Sequence, residues 1–199
     1  MNLINELPTS FRALDLGCGK LRYSLVLARR VKQVIAVDSP NQVDRIQKIG
    51  HEANVTLRQY VDRRCKNVEV YSTDQRTWKR YRYDFVLLAN VLSAIPTKRS
   101  RIQLLMQARD VMKRRGGHLL IVTNFSNSRF RDWELNDRAI RYGDGWLLEG
   151  SRGNSFFGMI PLNRLKAYVR EVGLTVLSSG THRSEVAYVE AQHPSRAES

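Results

Sequence analysis

Short apolar runs alternate with amphipathic stretches along almost the whole chain. Residues 11–16 (FRALDL), 33–38 (QVIAVD), 68–72 (VEVYS), 84–89 (DFVLLA) and 118–123 (HLLIVT) are rich in Val, Ile, Leu and Ala and are bounded by polar or turn residues. That is the pattern of strands buried on both faces. Between them, Ile102, Leu105, Ala108 and Met112 recur three or four positions apart, and the segment stops at Gly116-Gly117. Leu162, Leu165, Val169 and Val172 repeat that spacing, with Pro161 ahead and Gly173 behind. Both read as helices with ordinary start and stop signals. Residues 41–66 read as helix in two pieces, interrupted at 50–55. The alternation predicts an α/β fold with a mostly parallel sheet flanked by helices.

The end of the chain changes period. Residues 174–179 and 185–191 alternate like two strands joined by Gly180-Thr181-His182-Arg183, which predicts an antiparallel C-terminal strand pair. Residues 124–160 fit neither period and mix Arg, Asp, Asn and Gly with Trp133, Tyr142, Trp146, Phe156 and Phe157. A long irregular segment of that kind reads as a lid or substrate segment. At 199 residues the chain suits one domain, taken as 1–192, with 193–199 a flexible tail.

The densest chemistry lies in Asp15-Leu16-Gly17-Cys18-Gly19-Lys20-Leu21-Arg22, where a buried strand runs through two glycines into a helix. Gly17 and Gly19 permit a tight turn and let a ligand lie against backbone at the helix start. The next strand ends in Asp38, placed to accept hydrogen bonds from the hydroxyls of an adenosine ribose. A dinucleotide turn needs a glycine where Arg22 stands, and an apolar residue where Asp15 stands. The Asp15 carboxylate repels phosphates and attracts an ammonium group. A ligand with adenosine at one end and an amino acid at the other fits both observations.

With these residues in hand, the chain resembles the class I S-adenosylmethionine-dependent methyltransferases. ALDLGCGKLR resembles their first motif, VIAVD their acidic ribose-binding strand end, and VEVYSTDQ their adenine-side turn. YDFVLLANVLSAIP resembles their fourth strand and the turn after it, and RGGHLLIV the entry to their fifth. The resemblance covers residues 10–123, extends to about 190 with the closing strand pair, and implies a Rossmann-like domain. It implies S-adenosyl-L-methionine as cofactor, with contacts at Asp15, Gly17, Cys18, Gly19, Arg22, Asp38, Ser39, Asp74, Gln75 and Asn90. Within that set the Asp74 carboxylate is expected at the adenine amino group, and Asn90 at the methionine moiety or the acceptor. The family commonly carries a third glycine where this chain has Leu21. Lys20 and Arg22 read either as partners of the ligand carboxylate or as solvated first-turn residues.

Charge bears on the acceptor. Lys and Arg number 33 against 19 Asp and Glu, a net charge of +14. That excess favours a polyanionic partner such as RNA or DNA, or simply keeps the protein dispersed. Arg76, Lys79, Arg80 and Arg82 interleave with Trp78, Tyr81 and Tyr83, a composition suited to stacking on bases. Lys113, Arg114 and Arg115 sit where a helix C-terminus prefers cations. Arg129, Arg131, Arg138, Arg141 and Arg152 fall in the lid segment beside acids.

Other chemistries find little support. Cys18 reads as packing between glycines, and Cys65 has no histidine nearby, which opposes a cysteine nucleophile. Ala89-Asn90-Val91-Leu92 departs from the [DN]PP[YF] pattern of amino-methylating nucleic-acid enzymes. His51, His118, His182 and His193 are scattered, and no metal constellation is seen. There is no signal-peptide pattern and no apolar run of membrane-spanning length, so a cytoplasmic location is expected. The resulting expectation is methyl transfer by direct displacement to a small-molecule or nucleic-acid acceptor, with no catalytic base identified. Tyr142, Asp144 and Trp146 are candidates to position the acceptor. A non-catalytic S-adenosylmethionine-binding or nucleic-acid-binding module is the alternative.

Overall fold

The unbroken apolar strands are the ones enclosed on both faces. Strand β1 (Arg12–Leu16) leads through helix α1 (Arg22–Ala28) to β2 (Gln33–Asp38), where Val34, Ile35, Ala36 and Val37 are completely buried. Helix α2 (Pro40–Asp44), the hairpin β3 (Gln47–Ile49) and β4 (Glu52–Val55), and helix α3 (Leu57–Arg64) then lead to β5 (Val68–Ser72). Strand β6 (Phe85–Ala89) follows. These strands stand in the order β6-β1-β2-β5, every neighbouring pair parallel, with Ala13 opposite both Val34 and Phe85. Helix α1 packs against β1, β2 and β5, and α3 against β5. Thr56 and Gln59 close a reciprocal capping box that starts α3.

This computed structural model describes residues 3–124, 139–150, 153–182 and 185–194. The chain forms two compact units, Met1–Ala89 with Val111–His118 and Asn90–Asp110 with Leu119–Ser199. In the second unit, α4 (Lys98–Val111) precedes β7 (His118–Asn124). A three-stranded antiparallel sheet follows, of β8 (Ala139–Tyr142), β9 (Gly145–Leu148) and β10 (Ser155–Gly158). Helix α5 (Leu162–Glu171) packs on β11 (Thr175–His182) and β12 (Val186–Gln192), an antiparallel pair with β12 beside β7. The fold class is therefore the expected one, mixed α/β with mostly parallel strands, flanking helices and a closing antiparallel pair. Among the described residues no helix is long and apolar enough to cross a membrane.

Three local expectations are corrected. Residues 41–66 do hold two helical pieces, α2 and α3, but the interruption is longer than 50–55 and is itself structured: α2 ends at Asp44, and a β-hairpin occupies 47–55. Gln47 and Ile49 are buried while Lys48 is exposed, a period of two, and Gly50 turns the chain at φ 57°. The segment 124–160 is not irregular throughout, since β8–β10 fill much of it. Gly143-Asp144 is the two-residue turn between β8 and β9, and a side chain at Gly145 would meet the Phe157 carbonyl at 2.1 Å. Strand β11 runs on through Gly180-Thr181-His182 rather than turning there. Arg129, Arg131, Trp133, Arg138, Arg152 and Arg183 lie outside the described residues, as does the expected tail from residue 195 onward.

Candidate cofactor site

Backbone hydrogen bonds bring the ends of three strands of the first unit together. The Val37 carbonyl accepts from the Gly17 N–H at 2.7 Å and the Cys18 N–H at 3.1 Å, which folds the glycine turn over the end of β2. The Asp38 carbonyl accepts from the Thr73 N–H at 2.8 Å, which draws in the turn after β5. Asp15, Gly17, Cys18, Gly19, Asp38, Ser39, Asp74 and Gln75 are thereby gathered along one end of β1, β2 and β5.

Asp15 sits at the bottom of this group, 1% exposed. Its Oδ2 accepts from the Ser24 hydroxyl at 2.6 Å, and its Oδ1 is buried with no hydrogen-bond partner among the described residues. Burial pushes its carboxyl up to about 6, against the Ser24 hydrogen bond, and the nearby Asp38 charge adds to the rise. An unpaired buried carboxylate oxygen is costly to keep, and such an atom marks a place for a donor.

The other acids are held differently. Asp38 Oδ2 accepts from the Gly19 N–H at 2.8 Å and Oδ1 from the Ser39 N–H at 2.7 Å. Each oxygen keeps capacity for a further donor. Asp74 is exposed, and a hydrogen bond from the Ser72 side chain holds its carboxyl below the usual range. Gln75 steadies that turn, its Oε1 accepting from the Ser72 N–H at 2.8 Å and from Arg58 at 3.1 Å. Ser39 caps α2 by accepting from the Gln42 N–H. Cys18 is buried, and burial raises its thiol well above the ordinary value, consistent with a packing role.

The turn itself carries strain. Gly17 and Gly19 have φ of 87° and 55°, and a side chain placed at Gly19 would meet nothing within 4 Å, so space opens above it. Leu21 adopts φ 64° and ψ 15° while completely buried. The chain thus keeps a glycine-type backbone at the family's third-glycine position with a leucine, whose side chain packs inward. Lys20 and Arg22 are both exposed.

Two contributors escape a reading by motif alone. Ser24 carries no motif signal, and it is the only group hydrogen-bonded to the Asp15 side chain among the described residues. Gln42 donates from Nε2 to the Gly19 carbonyl at 2.7 Å, bracing the turn from α2. Its signal was present as Ser39-Pro40-Asn41-Gln42, a capping spacing with proline at the first helical position.

In the second unit, Asn90 follows β6 with φ 60° and is exposed. Its N–H donates to the Val122 carbonyl at 2.7 Å, and its carbonyl accepts from the Ser93 hydroxyl. Of the acceptor-positioning candidates, Asp144 is taken up by Arg101 and Arg164. Trp146 is buried with the Arg141 guanidinium 4.3 Å from its ring centre. Tyr142 remains exposed, edge-on to Phe156. In the first unit, Trp78 and Tyr83 are core side chains, which removes two of the three aromatics from the proposed base-stacking cluster.

A family model described as a methyltransferase domain matches residues 2–179. The chain is 30% identical to the uncharacterized protein YmfD of Escherichia coli (strain K12) over 176 residues, 88% of this chain and 77% of that one. Its fold is similar to that of the PH0226 protein of Pyrococcus horikoshii OT3, at a TM-score of 0.72 and 15% identity over 96% of this chain and 86% of that chain. It is also similar to a Burkholderia thailandensis 1,6-didemethyltoxoflavin-N1-methyltransferase with bound 1,6-didemethyltoxoflavin and S-adenosylhomocysteine. There the TM-score is 0.62 at 14% identity, covering 94% of this chain and 72% of that one.

Proposed function

The chain belongs to the methyltransferase-domain family and is an S-adenosylmethionine-dependent methyltransferase; from that premise we propose that the turn from Gly17 to Leu21 seats the cofactor and that the acceptor is a small molecule. The observation that carries the seat is the buried, unpaired Oδ1 of Asp15. Bound there, S-adenosylmethionine supplies an electrophilic methyl group on its sulfonium. Asp15 accepts from the ammonium of the ligand's amino-acid end, which answers its unmet acceptor. Gly17 and Gly19 let that end lie on the backbone, with Cys18 filling the space beneath. Asp38 takes the ribose hydroxyls on its free acceptor sites, and Asp74, ionised, takes the adenine amino group. Ser39, Gln75 and Gln42 hold these groups in place.

Arg22 and Asn90 enter the reading through the resemblance. For Asn90 the local support is its strained, exposed backbone, a state that clusters at functional turns. With an activated donor the protein's task is alignment, which by itself is worth about 7–11 kcal/mol. No residue is assigned as a base, because a base is needed only for an acceptor that must lose a proton. The small-molecule reading is supported by the named substrate of the toxoflavin relative and by the burial of Trp78 and Tyr83.

Calorimetric titration with S-adenosylhomocysteine tests the seat: the wild type binds, and Asp15→Asn and Gly17→Val weaken binding at least about tenfold. Unchanged affinity in both variants overturns it. Incubating the protein with methyl-labelled cofactor and fractionated cell extract tests the acceptor. Label is expected in the small-molecule fraction, and label in RNA or DNA refutes that assignment.

A further inference from the structure

We propose that the end of the first unit where its parallel strands begin is a docking surface for nucleic acid, distinct from the acceptor chemistry. Parallel order places every segment that enters a strand at one end, opposite the glycine turn. Hydrogen bonds show that these entries adjoin. Asn67 donates to the carbonyls of Ala28 at 2.8 Å and Val31 at 3.1 Å, joining the β5 entry to the β2 entry. Lys32 N–H donates to the Phe11 carbonyl at 3.0 Å, and Asp84 N–H to the Arg12 carbonyl at 2.9 Å. Lys113 N–H donates to the Tyr83 carbonyl at 2.9 Å, bringing in the segment ahead of β7.

All of these joined entries except that of β1 expose cations. Arg29, Arg30 and Lys32 stand ahead of β2, Lys66 ahead of β5, and Arg80 ahead of β6. Arg114 and Arg115 close the row. None of these seven makes an ion pair among the described residues. Two of the acids nearby are answered by other cations: Asp84 by Lys113, and Glu52 by Arg64 and Arg63. Glu6, Asp62 and Glu69 remain against the seven. Uncompensated like charges on one face repel one another and favour a polyanion.

The shape favours a nucleic acid over a lipid surface. A groove of about 310 Å³ opens beside α1 and α3, lined by Arg29, Arg64 and Lys66 together with Tyr60 and Asn67. Cations around a recess beside a tyrosine ring suit a phosphate and its neighbouring base. A membrane-binding face carries apolar anchors among its cations. The exposed large apolar side chains, such as Val26, Ile46, Met106 and Leu177, all fall outside these entry segments.

The test is fluorescence anisotropy of short labelled single-stranded RNA and duplex DNA against the full chain. The wild type binds, with affinity falling steeply between about 50 and 200 mM salt. The pairs Arg29→Glu with Arg30→Glu and Arg114→Glu with Arg115→Glu each weaken binding at least about tenfold and flatten the salt slope. The equally charged control, Arg99→Glu with Arg170→Glu, both exposed in the second unit, changes it less than about twofold. Retained S-adenosylhomocysteine binding verifies folding. If a reversal pair unfolds, the matching Arg→Gln pair reads the same direction with a smaller change. The proposal is overturned by wild-type protein that binds neither probe, by a control that weakens binding as much, or by tighter binding to phosphatidylserine vesicles than to either probe. None of these outcomes depends on the identity of the methyl acceptor.

Discussion

Replacing Asp15 by Asn isolates the energy stored beneath the glycine turn. The carboxyl titrates near 3.8 when exposed and is pushed up to about 6 in the folded chain, chiefly by burial. At neutral pH it is ionised in both states, and the folded state bears the difference. At about 1.4 kcal/mol per tenfold change in proton affinity, that difference is about 3 kcal/mol. The sign follows from proton uptake. Between pH 4 and 6 the folded chain holds the proton more tightly than the unfolded one, so this group's contribution to stability falls as pH rises through that window and is flat above it. Asp15→Asn has no such titration. Its amide oxygen can still accept from Ser24, while its amide NH2 is left unpaired at the buried Oδ1 position, a cost of about 1–3 kcal/mol independent of pH. Urea unfolding at a series of pH values should therefore show the variant gaining about 2 kcal/mol on the wild type between pH 4 and pH 7. Binding changes in the opposite sense. S-adenosylhomocysteine affinity of the wild type should fall below pH 6 as Asp15 takes up its proton, whereas the variant binds weakly at every pH. Parallel stability profiles for the two proteins would refute the placement of an unpaired, titrating carboxylate under the turn.

Leu21 and Arg101 yield further tests. At an ordinary helical position glycine is less stable than alanine, but at φ 64° the left-handed backbone costs a non-glycine residue about 1–2 kcal/mol. Both Leu21→Ala and Leu21→Gly lose buried side-chain packing, a loss of about 2–5 kcal/mol, and only glycine recovers the strain. Leu21→Gly should thus melt above Leu21→Ala, and the usual order would argue against the left-handed conformation. Arg101, 1% exposed, donates to the Leu92 carbonyl at 3.1 Å, the Ile95 carbonyl at 2.8 Å and both oxygens of Asp144. Arg101→Met strands those acceptors and should cost about 3 kcal/mol in urea unfolding, with earlier proteolysis of residues 139–158. Burial works to raise the Asp144 carboxyl, and the hydrogen bonds and charge of Arg101 together with those of Arg164 outweigh it, holding it below its ordinary value. That pairing is present above the unfolded carboxyl value and is lost as pH falls below it, a loss reduced in Arg101→Met, where only Arg164 still pairs Asp144.

What could be read from the sequence divides along physical lines. The parallel strands announce themselves because burial on both faces removes alternation, as in the completely buried Val34–Val37 of β2. The glycine turn and Asp38 are visible because their residue types have few other reasons to occur in that order. The hairpins at 47–55 and 139–158 are hidden because three or four alternating residues are too few to outweigh a helical or irregular reading. Leu21 is hidden for a different reason. A leucine carries no sign of a left-handed backbone, and its conformation is set by the burial that holds it. Hydrogen bonds such as Ser24 to Asp15 join residue types that occur everywhere, so only coordinates reveal them.

Charge shows why topology adds what composition lacks. A net charge of +14 is compatible with a nucleic-acid acceptor or a solvated surface, and mixed cations and aromatics look alike whether Trp78 faces a base or the core. Parallel strand order separates those possibilities, because it sends the loops before each strand to one end and those after it to the other. Asp15, Gly17, Gly19, Asp38 and Asp74 lie at or beyond the strand exits, and the seven cations without an ion pair among the described residues lie before the strand entries. A β-strand advances about 3.3 Å per residue, so a five-residue strand holds the two sets roughly 15 Å apart. At that distance, in physiological salt, these cations act on the glycine turn only weakly. Those seven cations therefore act with whatever the strand-entry end meets rather than on a ligand at the glycine turn.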